Sequence, residues 1–232
     1  LKKALAQQNI SLIIDLKAPE HSLPEYIKQY QVKTIFLQKE WTYEELKQEA
    51  EVARIAGTTI QWKSSYDQFL FHPDDLPFSV DLKPEVFGNF RRKCEKEVSV
   101  RTNGATNKAL PVTNLIDIEN PLPELSDLGL ENIDPDVRTA FPFEGGTKNA
   151  MERLNHYFWK SKKLSYYKNT RNGLVGPDYS SKFSPWLASG SISSKMIYWE
   201  IKRYEKEVQK NQSTYWLIFE LIWRDYFKYI SC

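Results

Sequence analysis

Residues 1–64 alternate between two hydrophobic periods, and that alternation limits the folds open to the chain. Residues 10–16 (ISLIIDL) form a short, nearly continuous apolar run, the pattern of a buried strand. Residues 22–30 repeat apolar side chains at three/four spacing (Leu23, Tyr26, Ile27, Tyr30) and read as helix. Residues 33–37 look like a second buried strand. Thr42 then caps a helix of about 14 residues, with acidic side chains in its first turn, where the helix dipole favours them. Residues 58–63 complete the series as a third strand. Strand, helix, strand, helix, strand implies a parallel sheet with right-handed crossovers. No glycine-rich turn follows any of these strands, so a nucleotide-fingerprint sheet is not supported. The expected unit is a small α/β domain over residues 1–80.

The pattern then changes. Residues 65–80 contain the proline-punctuated loop HPDDLPF, and residues 83–98 read as one helix carrying Val86, Phe87 and Phe90. Residues 99–143 lack periodicity and are punctuated by proline, so residues 81–143 are assigned to an interdomain linker with one helix. From Gly145 onward everything reads as helix. The first of these starts at Gly145-Gly146-Thr147, with Met151, Leu154, Tyr157 and Phe158 on one face. Ser193 caps another through about Val208, with Ile197, Ile201, Tyr204 and Val208 inward. The last starts near Ser213 and is apolar on most sides, so it should be buried. Residues 144–232 are therefore expected to form an all-α domain, and both domains are expected to be incomplete.

Charge divides along the same line. Residues 145–232 hold 15 Lys/Arg and 7 Asp/Glu, a net of +8, whereas residues 1–144 hold 17 and 23, a net of −6. The basic part also carries 5 of the 7 Trp and 9 of the 13 Tyr. Basic charge interleaved with aromatics suits a nucleic-acid or anionic-cofactor binder, and a solvated helical surface over an aromatic core has the same composition. Two cysteines, Cys94 and Cys232, have neither metal nor redox spacing and fit a reducing compartment. No run of about 18 apolar residues marks a membrane span. A soluble, intracellular, monomeric protein is expected.

Residues 165–190 concentrate the polar chemistry. Tyr166, Tyr167 and Arg171 lead into a loop with Gly173 and Gly176, then a cluster of hydroxyls around one cation: Ser180, Ser181, Lys182, Ser184. Ser184 before Pro185 predicts an N-cap with proline at the first helical position. Free N–H groups there, with hydroxyls and a lysine in front, suit a phosphate or pyrophosphate. An ordinary capped loop would look the same. In the last helix Trp216, Glu220, Trp223 and Phe227 fall on one stripe. Glu220 either pairs with Arg224 four residues on, the favoured reading, or faces a polar ligand. Trp223 is a base-stacking platform if exposed and core if buried. His21, His72 and His156 share no pattern with a nucleophile, and Asp74-Asp75 reads as a loop cap. No Walker, zinc or G-x-S-x-G motif occurs.

The stretches FELIWRDYF (residues 219–227), TRNGLVGPDYSSKFSPWLASG (170–190) and NQSTYW (211–216) resemble the photolyase/cryptochrome family, and within it most closely the DASH cryptochromes. HPDDLPF, the helix beside it and EGGT (144–147) fit the same group. The resemblance implies an α/β antenna domain followed by a helical FAD domain. It implies a blue-light flavoprotein that splits cyclobutane pyrimidine dimers, preferably in single-stranded DNA, by electron transfer from reduced FAD. The alternatives are a non-catalytic photoreceptor or nucleic-acid-binding regulator, RNA included as a partner, or an inactive fragment. By resemblance, Tyr167, Ser180, Ser181, Lys182, Phe183, Ser184 and Arg224 bind FAD, and Glu220 and Trp223 face the lesion. Arg171 contacts DNA, and Glu44 or Glu45 holds a 5,10-methenyltetrahydrofolate antenna. Ser180 stands where many DASH members have Thr, which keeps the hydroxyl. The resemblance further implies that the first strands and the C-terminal half of the FAD domain lie outside this sequence. It leaves a chloroplast or mitochondrial location open.

Overall fold

The computed structural model describes residues 1–104, 108–118 and 120–231. Cys232 lies outside the described residues. After a short helix α1 (Lys2–Ala6), helix α2 (Pro19–Gln29) leads to strand β1 (Thr34–Gln38), helix α3 (Tyr43–Ala56) and strand β2 (Gln61–Ser65). β1 and β2 pair in parallel, with Thr34 opposite Gln61 and Gln38 opposite Ser65. α2 and α3 pack on each other. The α/β organisation followed by helices therefore holds, with two corrections to its sheet.

Residues 10–16 are not a strand. They are tied to the 108–120 segment mainly through side chains rather than by a ladder. The Asn120 amide both accepts from the Ile14 N–H (2.8 Å) and donates to the Ile14 carbonyl (3.0 Å), while Ser11 Oγ accepts from the Ile116 N–H (3.0 Å). Apolar continuity gave this run a strand-like pattern, but hydrogen-bond partners decide whether a strand forms. β1 is likewise less buried than its sequence suggests, since Phe36 is 73% exposed with Lys63 Nζ 5.4 Å from its ring centre.

The loop after β2 carries Phe69, Leu70 and Phe71 into the core. Helix α4 (Phe87–Glu97) follows, and its Phe87 and Phe90 pack on the last helix. Cys94 is fully buried there, and burial, reinforced by the Asp225 charge, pushes its thiol up to about 12. A thiol held protonated and shielded is a poor nucleophile. The Cys94 peptide is thus expected to stay unmodified when the folded chain meets iodoacetamide in mildly alkaline buffer, and to be alkylated in urea. Mass spectrometry of the digested protein reads both states.

The helical part comprises α5 (Thr147–Asn155), a π-helical turn (His156–Lys160), α6 (Tyr167–Thr170), α7 (Ser184–Ala188), α8 (Ser194–Glu207) and α9 (Gln212–Ile230). Ser193 caps α8 as expected, its hydroxyl accepting from the Met196 N–H at 3.1 Å, and Ile197, Ile201 and Tyr204 are fully buried. Val208 lies past the helix end, 38% exposed, and not inward. α9 is held by Asn211, whose side chain accepts from the Ser213 and Thr214 N–H groups. Leu217, Ile218, Leu221, Ile222 and Tyr226 are buried, but Phe227 is 58% exposed and Trp216, Glu220 and Trp223 are half-buried. Its burial is therefore one-sided. On α5 the inward residues are Ala150, Arg153 and Leu154, while Met151 turns outward.

Candidate functional site

α6, the loop ahead of α7, and α9 enclose one cavity of about 530 Å³. Residues 180–184 form one wall, all five of them lining it. Tyr167 comes from α6, and α9 supplies Leu217, Glu220, Leu221 and Arg224. Eight side chains singled out in the sequence thus converge. Trp223, Arg171, Glu44 and Glu45 do not line this space.

Local geometry departs from the sequence reading at three points. Ser184 is not an N-cap. It lies inside the first turn of the five-residue α7, Phe183 holds the cap position, and no side chain caps the end. Glu220 pairs not with Arg224 but with Arg171, at 2.8 Å, each side chain 30% exposed. Arg224 instead donates to the Gln68 carbonyl at 2.7 Å, because it faces the loop after β2, whose carbonyl needs a donor. Trp223 is neither core nor a free platform: Phe87 stacks on it at 3.5 Å and 12°, with Phe227 at 5.4 Å.

The electrostatics of the wall are one-sided. Lys182 adopts a left-handed backbone (φ +63°), and its ammonium sits 3.6 Å from the Tyr179 ring centre. Among the described residues no carboxylate pairs with it. Burial, then the Glu220 charge, pushes the Tyr167 hydroxyl up to about 12, so it stays a neutral donor.

Sequence reasoning missed Arg153. The residue is 4% exposed, and its guanidinium donates to the carbonyls of Pro177 (3.0 Å), Ser180 (2.9 Å) and Ser181 (3.1 Å) and to Asp178 Oδ1 (2.6 Å). It thereby fixes the backbone that presents the serine hydroxyls. The sequence held one signal, an arginine on the inward face of α5 between Ala150 and Leu154. Glu45 lies elsewhere, in a groove of about 390 Å³ with Leu23, Ile35, Val52 and Trp62, and bonds to the Thr42 hydroxyl. Glu44 is not part of that groove. Among the described residues no group of three or more His, Cys, Asp or Glu is placed to hold a metal ion.

The family model described as DNA photolyase matches residues 1–112. A DASH cryptochrome of Gloeobacter violaceus is 39% identical over 232 residues, covering all of this chain and 46% of the relative. A chloroplastic/mitochondrial DASH cryptochrome of Arabidopsis thaliana is 41% identical over 234 residues, covering all of this chain and 41% of its own length. The solved Synechocystis sp. PCC6803 cryptochrome superposes with a TM-score of 0.91 at 41% identity, over 99% of this chain and 48% of that one. The chain belongs to the photolyase/cryptochrome family. It spans about half the length of the relatives it matches. A class III photolyase from Agrobacterium tumefaciens, 19% identical with a TM-score of 0.79, shares the fold.

Membership of the photolyase/cryptochrome family implies a flavin. The donor set at the cavity fits FAD: hydroxyls and the Lys182 ammonium suit a diphosphate, and Phe183, Leu217 and Leu221 suit apolar ring surface. The volume lies within the roughly 300–1,000 Å³ of small-molecule and cofactor sites. No helix among the described residues is long and apolar enough to cross a membrane.

Proposed function

We propose that this cavity holds the FAD of a blue-light-dependent flavoprotein which, as a whole protein, repairs cyclobutane pyrimidine dimers, preferably in single-stranded DNA. The observation that carries the reading is the convergence of Tyr167, residues 180–184, Glu220 and Arg224 on one space. Bound FAD supplies a light-driven electron donor. In this reading Lys182 neutralises the diphosphate, Ser180, Ser181 and Ser184 donate hydroxyls, and Arg224 closes the far side. Glu220 and Trp223 serve the lesion, and Arg171 serves the DNA backbone. Glu45, in its own groove, is the better placed of the two candidates for a folate antenna. Residues 1–80, 81–143 and 144–232 are proposed as antenna domain, linker and FAD domain.

The test is an absorption spectrum of the purified chain after incubation with FAD and gel filtration. Structured flavin bands in the blue are expected to survive. Lys182→Ala is expected to weaken retention about tenfold or more, the scale of one lost charge-assisted contact. A colourless wild-type protein would show that these residues do not suffice to hold the cofactor. Flavin binding without dimer splitting by the whole protein would favour the photoreceptor reading.

A further inference from the structure

Between Arg171 and the serine wall the chain makes a loop whose tip is Leu174-Val175, 86% and 92% exposed. Aliphatic side chains similarly bare are also found at Leu1, Leu82, Ile133 and Val137, but the Leu174-Val175 loop is the one that runs directly into the cavity wall at Ser180. The loop of Leu174 and Val175 is built to hold its shape. Gly173 N–H donates to the Thr170 carbonyl at 2.8 Å, and a Cβ at Gly173 would lie 2.9 Å from Tyr179 Cβ, so only glycine allows that approach. Gly176 turns with φ +76°, and Arg153 then grips Pro177, Asp178, Ser180 and Ser181. Arg171 opens the loop, paired with Glu220 at 2.8 Å and with its guanidinium 5.5 Å from the Trp216 ring centre.

We propose that Leu174 and Val175 form a preorganised apolar wedge that inserts between the unstacked bases of a nucleic-acid strand, next to the cavity. This rests on the nucleic-acid reading given above and adds to it the residues that part the bases. Apolar side chains that separate base steps are a known way to unstack nucleic acid, and the arginine at the loop's start serves the phosphate backbone while they do so. A fixed loop loses little conformational freedom on binding, which a mobile tip would lose. The positive charge of residues 145–232 selects an anionic strand over an apolar protein surface.

The experiment compares the chain with its Leu174→Ser/Val175→Ser variant. Both side chains are exposed, so an unchanged melting temperature serves as the folding control. The probe is a short single-stranded oligonucleotide carrying 2-aminopurine, whose fluorescence rises when its neighbours unstack. Wild type is expected to bind and to raise that fluorescence. The variant is expected to bind about tenfold more weakly and to lose the rise, the size of one lost base contact. Its salt dependence should be unchanged, because no phosphate contact is removed. Equal affinity and equal fluorescence would overturn the wedge and leave the nucleic-acid reading intact. Wild-type chain that binds no oligonucleotide even at low salt would remove that reading and the wedge with it. Loss of binding to anionic vesicles, with oligonucleotide binding unchanged, would overturn the wedge in favour of a membrane surface.

Discussion

Arg153→Met is expected to destabilise the chain by about 3 kcal/mol and to weaken flavin retention at least about tenfold. The guanidinium is buried and makes four donor contacts, three of them to backbone carbonyls of one loop. It also lies 4.8 Å from the Phe143 ring centre and 4.9 Å from that of Tyr157. Methionine keeps much of the packing and removes every donor. Hydrogen bonds to a charged group contribute about 1.5–3 kcal/mol each, but the partly exposed Asp178 can turn to water, so the loss is smaller than four such terms. Asp178 reports the same contact. Burial raises its carboxyl, yet Arg153 and then His156 outweigh this and hold it below the usual carboxylate range. Lysine should rescue poorly, since a point charge cannot span three carbonyls as a planar fork does. Urea unfolding gives the stability, and FAD titration well below the midpoint gives the affinity. Lost stability with unchanged flavin affinity would make Arg153 a support of the fold alone.

The wall of the cavity was legible in the sequence, and the groups that hold it were not. Ser180, Ser181, Lys182 and Ser184 announce themselves because hydroxyls around a lone cation are an uncommon local composition. Their neighbour in function, Arg153, sits 27 to 31 residues away, and an arginine in an amphipathic helix reads as surface until its burial is known. Arg171 and Glu220 lie on separate elements, so local spacing offered Arg224 as the partner. The all-round burial expected of α9 fails for a related reason. Periodicity gives the amount of apolar surface but not which neighbour covers each face, and here Phe227 is left largely open. The run at 10–16 shows the converse: its residues have strand character, but strand identity belongs to a pair. Here Asn120 takes both backbone groups of Ile14, and Ser11 spends its hydroxyl on the Ile116 N–H. The α/β-then-α order depends only on local periods, and the structure has it.

Asp225 is the other buried charge with a large expected effect. It is fully buried on α9 and accepts from the Leu70 N–H (2.8 Å to Oδ2) and the Phe71 N–H (2.7 Å). Beside it Arg224 donates to the Gln68 carbonyl and Tyr229 Oη to the Phe71 carbonyl at 2.7 Å, so this stretch of α9 pins the loop after β2. Asp225→Ala strands two buried N–H groups, at about 1–3 kcal/mol each, and a loss of about 3 kcal/mol is expected. The carboxyl also carries a pH signature. Burial pushes it up to about 7, against the pull of the Leu70 and Phe71 N–H groups and the Arg224 and Lys228 charges. In the unfolded chain it returns to the ordinary value of 3.8. The folded state therefore binds the proton more tightly, and the stability this supplies is full below 3.8. It declines as pH rises from there and is lost through about 7. Most paired carboxylates give the opposite slope, so the wild-type curve alone does not isolate this group. Asp225→Asn does, because the amide cannot titrate. The unfolding free energy of the wild type minus that of the Asp225→Asn variant should shrink between about pH 4 and about pH 7. Parallel curves across that window would mean that the Leu70 and Phe71 N–H groups, not burial, set the protonation of Asp225 and keep it ionised in the fold.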